Sequence, residues 1–167
     1  MHDRSRKYEI ESILRLAEAL KGDEVSYQWL KENNFKELAA LSDVILHDSK
    51  SAKEWLQQYN FKALSALLSA LNNDKLAFRY LLYSDFKEWA AVYRCIYKDN
   101  EALEWLARYN YSHYGYLAHV LHTLQESNQK GTYFYKLSNS DNDMINLTFP
   151  SISEDGHVSS QRMSASG

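Results

Sequence analysis

The stretch EWLQQYNFKALSALLSAL, residues 54–71, decides the fold because the chain repeats it as EWLARYNYSHYGYLAHVL at residues 104–121. Each copy combines a Trp-Leu pair, a polar break and a longer run in which apolar side chains recur every three or four residues. This pattern is typical of two short helices that each bury one face. Two further copies align with these, at residues 26–46 and 77–97.

Two aromatic landmarks define the repeat. The first landmark precedes a leucine in every copy and comprises Trp29, Trp55, Tyr80 and Trp105. The second landmark comprises Phe35, Phe61, Phe86 and Tyr111. Successive copies are 26, 25 and 25 residues apart, a regularity that predicts tandem helical hairpins. Because helices of about ten residues are marginal alone, we expect each hairpin to complete the core of its neighbour.

Short polar residues stand where helices should begin. The set before the first landmark is Asp23, Ser49, Asp74 and Asp99, and the set before the second is Asn34, Asn60, Asp85 and Asn110. Side-chain oxygens of Asp, Asn and Ser accept hydrogen bonds from the free amides of a first helical turn, so both sets are predicted N-caps. Glu37 and Glu88 follow two of these caps by three residues, which predicts reciprocal capping boxes.

These signals predict an all-α fold. Residues 5–126 contain no proline and two glycines, and they accommodate one N-terminal capping helix and four helical hairpins, nine helices in all, in a short right-handed α-solenoid. The predicted domain spans 1–127. Residues 128–167 form a C-terminal segment of different composition, in which 132–149 has the pattern of a β-hairpin or of an extended stretch, followed by a disordered tail.

The repeats resemble the α-helical hairpin solenoids. Within them, DKLAFRYLLYSDFKEWAAVY, residues 74–93, resembles an ankyrin unit whose β-turn finger is deleted, without the Thr-Pro-Leu-His signature of that family. The tandem Trp-Leu units are also similar to uncharacterised bacterial repeat proteins. The resemblance covers about three quarters of the chain and implies an extended surface that binds other proteins.

Composition narrows the classes of function. The net charge of −3 provides no basic field for nucleic acid or anionic lipid. The N-terminus lacks the features of a secretory signal, and no apolar run reaches the ~20 residues that a membrane span needs. Cys95 is the single cysteine, so no intrachain disulfide can form, and we expect a buried thiol in a cytoplasmic protein. We expect a monomer or a weak oligomer without a cofactor.

Comparison of equivalent positions suggests a partner-binding surface on the third and fourth repeats. Large aromatic or cationic side chains stand there at positions that are small or polar in other repeats. The candidate set is Leu82, Tyr83, Tyr93, Arg94, Tyr97, His119 and His122. Because Tyr and Arg are enriched at energetic centres of interfaces, this set predicts binding of a protein or peptide. The alternative is that these aromatic rings pack only against the C-terminal segment or the loop above them.

Two other functions are weaker alternatives. His119, His122 and Glu126 have the spacing of one helix face, which a divalent metal of a metal-dependent enzyme could use. No phosphate-binding glycine loop or nucleophile motif is present, so we predict no enzyme activity. A helical repeat could also bind nucleic acid through lysines at the starts of its second helices, although the net negative charge disfavours this function.

Overall fold

The computed structural model describes residues 2–127. Nine helices and no strands occupy this part of the chain, so the predicted all-α class is confirmed. The helices are α1 Ile10–Leu20, α2 Glu24–Glu32, α3 Lys36–His47, α4 Lys50–Gln58, α5 Lys62–Leu71, α6 Lys75–Tyr83, α7 Lys87–Ile96, α8 Asn100–Arg108 and α9 Ser112–Ser127. The predicted C-terminal segment, with its hairpin at 132–149, lies outside the described residues.

The first helix of each hairpin begins as the sequence predicts. Asp23, Ser49, Asp74 and Asp99 each accept a hydrogen bond from a backbone amide of the following turn. The residue just before each of these caps has a positive φ, which turns the chain sharply out of the preceding helix. These residues are Gly22, Asp48, Asn73 and Lys98.

The second helix of each hairpin begins differently, and the prediction of N-caps at Asn34, Asn60 and Asn110 is wrong. These three asparagines have φ between 61° and 69°, the left-handed conformation that Asn tolerates better than most residues. They end the preceding helix, because the next amide donates back to a carbonyl five residues earlier, as from Phe61 to Leu56. The N-cap position of α3, α5 and α7 falls instead on the aromatic landmark.

The capping boxes at Glu37 and Glu88 are therefore also wrong. Neither α3 nor α7 has a side-chain cap, and both carboxylates are buried, with 3% and 1% of the residue exposed. The third hairpin uses a different turn, in which Ser84 donates to the Leu81 carbonyl and accepts from the Phe86 amide. Asp85 does not have a positive φ, in keeping with its departure from the asparagine of the other repeats.

The repeated leucines and aromatic landmarks form the core of the hairpins. The leucine after the first landmark is completely buried in every repeat, at Leu30, Leu56, Leu81 and Leu106. The two landmarks stack on each other in three repeats, with ring centroids 5.7 Å apart for Trp29 and Phe35 and 5.6 Å apart for Trp55 and Phe61. In the third repeat Tyr80 replaces tryptophan and remains 40% exposed.

The helices do not form the open stack that a solenoid predicts. Consecutive helices pack in pairs, α5 also contacts α7, and α7 contacts α9. In addition α1 packs on both α3 and α9, so the first and last helices are neighbours. In an open solenoid these helices would lie at opposite ends, so the right-handed solenoid is not confirmed. We refer to this arrangement as the closed array.

None of the helices within residues 2–127 combines the length and the apolar composition that a membrane span requires.

Candidate functional site

The N-terminal arm, residues 2–9, contacts all four repeats. It is not helical and leads directly into α1. Its side chains and backbone bond to residues 28 to 81 positions away in sequence, in α3, α7 and the turns before α3, α5 and α7. The residues that receive it sit where the second helices of the repeats begin. The arm is therefore a non-helical segment bound across several repeats.

The first repeat holds Arg6 and Tyr8 through Glu37. The Arg6 Nε donates to Glu37 Oε2 at 2.7 Å, and the Tyr8 hydroxyl donates to the same oxygen at 2.7 Å. A second guanidinium nitrogen of Arg6 donates to the Asn34 carbonyl at 2.6 Å. Glu37 thus has charge-assisted partners for its buried carboxylate, and a planar guanidinium matches these two acceptors well.

The third repeat holds Lys7 through the equivalent glutamate. The Lys7 ammonium donates to Glu88 Oε1 at 2.9 Å and also to the Asp85 carbonyl. The Lys7 side chain remains half-exposed, whereas the Glu88 side chain is buried. Burial raises the pKa of Glu88, which the nearby Lys7 partly offsets. Lys87 lies close enough to repel Lys7, but its own ammonium donates to the Ser84 carbonyl.

A cationic side chain of the arm lies over the ring of each second landmark. The Arg6 guanidinium lies 4.7 Å from the Phe35 centroid, and the Arg4 guanidinium lies 5.4 Å from that of Phe61. The ammonium of Lys7 lies 5.0 Å from the Phe86 centroid and 5.7 Å from the Tyr111 centroid. Cation–π attraction of this kind contributes roughly 0.5–2 kcal/mol per pair, depending on exposure.

The arm also caps α5, which has no N-cap side chain of its own. The Ser5 hydroxyl accepts from the Ala63 amide at 2.8 Å, and the Asp3 carboxylate accepts from the Lys62 amide at 3.3 Å. The Arg4 amide donates to the Asn60 carbonyl at 2.8 Å. The positive end of a helix dipole favours such oxygen ligands. The second repeat, which has Ala63 in place of a glutamate, thus binds the arm mainly through its backbone.

We call the receiving surface the acidic-aromatic face. Its members are the second landmarks and the two buried glutamates, namely Phe35, Glu37, Phe61, Phe86, Glu88 and Tyr111. The face is continuous with an aromatic cluster of the core, because the Tyr111 ring lies 5.6 Å from the Tyr114 ring, which lies 5.2 Å from that of Trp89. Burial lowers the pKa of His113, the residue of the fourth repeat equivalent to the glutamates.

The surface predicted on the third and fourth repeats is not an exposed surface, and this prediction requires correction. Leu82 and Tyr93 are 1% exposed, and Arg94 is 4% exposed. The Tyr93 ring packs 5.2 Å from the rings of both Phe78 and Tyr97. The Arg94 Nε donates to Asp99 Oδ2 at 2.6 Å, which joins α7 to the cap of α8. Leu82, Tyr93 and Arg94 are therefore part of the packed interior of residues 2–127.

The other predicted members are dispersed. Tyr83 is exposed on α6, and Tyr97 is half-buried, with burial raising its pKa. His119 is exposed beside a cleft between α1 and α9 that Lys21 and Tyr116 also line. The Nδ1 of His122 donates to the Ile96 carbonyl at 2.7 Å, so this histidine joins α9 to α7.

The weak metal candidates are not assembled into a site. The His122 Nε2 lies 3.2 Å from Glu126 Oε1, but within residues 2–127 no three His, Cys, Asp or Glu side chains are placed to hold a metal. Cys95 is partly buried, and burial raises the pKa of its thiol to about 12, which disfavours the reactive thiolate.

Sequence reasoning missed the acidic-aromatic face because it assigned Glu37 and Glu88 to capping. A signal was nevertheless present. The equivalent positions are Ala63 and His113, so only two repeats carry an acid there, whereas a capping function would favour an acid or amide throughout. The cationic run Arg4-Ser5-Arg6-Lys7 supplies the complementary charges.

Comparison with known proteins adds no relative: no protein-family model, curated protein or solved structure matches this chain.

Proposed function

We propose that this protein is a peptide-binding module whose acidic-aromatic face receives an extended, cationic segment of a partner protein. The observation that supports the proposal is the bound arm itself. Residues 3–8 occupy the face in a non-helical conformation, and groups from all four repeats contact them. A surface that binds one such segment has the chemistry to bind another of the same kind.

The contacts divide into two classes that peptide-binding surfaces combine. Backbone and capping bonds hold the main chain, such as those from the Arg4 amide and to Ser5. Ion pairs and ring contacts select the side chains, as for Arg6 on Glu37 and Phe35. Main-chain bonds contribute affinity in this mode of recognition, and side-chain pockets contribute specificity.

In the free protein the arm competes with any partner. A segment tethered next to its own site has an effective concentration in the millimolar range. A partner segment therefore needs a stronger contact set, or additional contacts elsewhere, to displace the arm. This requirement predicts weak binding of short peptides by the wild-type protein and stronger binding when the arm is weakened.

The test uses a fluorescent peptide of residues 2–9, HDRSRKYE, and measures its anisotropy on titration with protein. The arm variant carries Arg4→Ser and Lys7→Ser, and it keeps Arg6 and Tyr8, which cover Glu37. We expect the arm variant to bind the peptide at least ten-fold more tightly than the wild type. The matched control adds Glu88→Gln to the arm variant and should lose most of this binding.

Melting curves from circular dichroism establish that each variant is folded. If the arm variant is folded and fails to bind the peptide at 1 mM, the proposed function is wrong. If it is unfolded, wild-type protein labelled with ¹⁵N is titrated with the peptide instead. Shifts confined to amides at the starts of α3, α5 and α7 would then support the proposal, and their absence would refute it.

A further inference from the structure

The acidic-aromatic face contains one position built for an ammonium group. The Lys7 nitrogen lies between the Phe86 and Tyr111 rings, at 5.0 Å and 5.7 Å from their centroids. Two of its hydrogen-bond acceptors are Glu88 Oε1, at 2.9 Å, and the Asp85 carbonyl. An ammonium has three N–H groups, so the two acceptors and the aromatic surroundings match its donors and its charge.

The carboxylate at this position is buried. Glu88 is 1% exposed, and its second oxygen, Oε2, is buried without a hydrogen-bond partner among residues 2–127. A buried carboxylate is costly unless a charge compensates it. Lys7 supplies that charge from a side chain that remains half-exposed.

The position for Arg6 on the first repeat has a different geometry. There Glu37 Oε2 accepts from Nε of the Arg6 guanidinium, and the Asn34 carbonyl accepts from another nitrogen of the same planar group. In the third repeat the single nitrogen of Lys7 reaches both equivalent acceptors, Glu88 and the Asp85 carbonyl, whereas in the first repeat two guanidinium nitrogens share them. The first repeat therefore suits arginine, whereas the pocket of the third and fourth repeats suits lysine.

We infer that lysine is the residue of the partner that determines specificity, and that its ammonium occupies the Phe86–Tyr111–Glu88 pocket. The inference rests on the proposed function, since it names the side chain that the same face selects. A partner segment that displaces the whole arm would carry this lysine directly after an arginine that reaches Glu37. Neutralising the ammonium, as acetylation does, removes both the charge and two donors and releases the segment.

The test compares four peptides on the arm variant. The first is the parent HDRSRKYE, and the others replace its Lys7 with norleucine, with arginine or with acetyl-lysine. We expect at least ten-fold weaker binding with norleucine and acetyl-lysine, and at least three-fold weaker binding with arginine. Norleucine is the matched control, because it keeps the aliphatic stem of lysine and lacks only the ammonium.

Adding Glu88→Gln to the arm variant should reduce the difference between the parent and norleucine peptides to less than three-fold. If the parent peptide binds and norleucine binds within two-fold of it, the lysine inference is wrong while the proposed function stands. Equal binding of the arginine peptide would also refute lysine selectivity. If none of the four peptides binds a folded arm variant, the proposed function itself fails.

Discussion

Replacing Glu37 with glutamine should destabilise the protein by detaching the arm. The substitution keeps the size of the side chain and removes the charge that holds Arg6 and Tyr8. Glu37 Oε2 accepts from the Arg6 Nε and from the Tyr8 hydroxyl, both at 2.7 Å, and Glu37 is 3% exposed. The effect therefore reports the contribution of one anchor of the arm.

The expected magnitude follows from these contacts. Breaking a fully buried ion pair costs about 3–5 kcal/mol. The Arg6 side chain is 40% exposed, so water compensates it in the variant, and the amide of glutamine retains one acceptor. We therefore expect a loss of about 2 kcal/mol, which corresponds to a decrease in Tm of roughly 6–10 °C for a domain of this size.

The assay is chemical denaturation of the wild type, Glu37→Gln, Arg6→Gln and the double variant, followed by circular dichroism. Because the two side chains share a bond, the double variant should lose less stability than the sum of the single variants, by about 1 kcal/mol. Glu104→Gln, on an exposed position of α8, is the control and should change little. Effects of the two single variants that simply add would refute the pairing of arm and face.

Three further predictions concern single positions. Lys98 has a φ of 62°, so Lys98→Gly should raise the free energy of unfolding by about 1 kcal/mol, whereas Gly22→Ala, at φ 98°, should lower it. The Oγ of Ser65 is buried without a hydrogen-bond partner within residues 2–127, and Ser65→Ala should increase the Tm by a few degrees, since the unpaired hydroxyl costs about 1 kcal/mol. Burial raises the pKa of Glu88 above its ordinary value of 4.5. At a pH between these two values, the Glu88 carboxyl is protonated in the folded state and ionised in the unfolded state. The free energy of unfolding should therefore decrease as pH rises from 4.5 through that raised pKa, and Glu88→Gln should weaken this dependence on pH. Denaturation at several pH values measures it, and an equal dependence in the wild type and the variant would contradict this assignment.

Local patterns in the sequence predicted the helices well. The caps at Asp74 and Asp99 act as expected, because an N-cap bond depends only on residues within one turn. The asparagines before the second helices were assigned to the wrong helix end. Asn favours both an N-cap and a left-handed C-terminal residue, and sequence alone does not separate the two when helices follow each other directly.

The candidate site could not be predicted in the same way, because it depends on contacts between residues far apart in sequence. Lys7 and Glu88 are 81 residues apart, and no local pattern relates them. Because the equivalent residues of other repeats are smaller or polar, the sequence predicts a surface position for the aromatic residues of the third repeat. Tyr93 instead fills space between α6 and α7, where its ring meets Phe78.

The contact between α1 and α9 fixes the number of hairpins in this protein. Proteins whose repeat units stack without end contacts tolerate the gain or loss of a unit, since each unit meets only its two neighbours. Here a fifth hairpin inserted between two existing repeats would still follow the sequence pattern, but it would move α9 away from α1. Duplication or deletion of a single unit should therefore be far more damaging than the sequence periodicity alone would suggest.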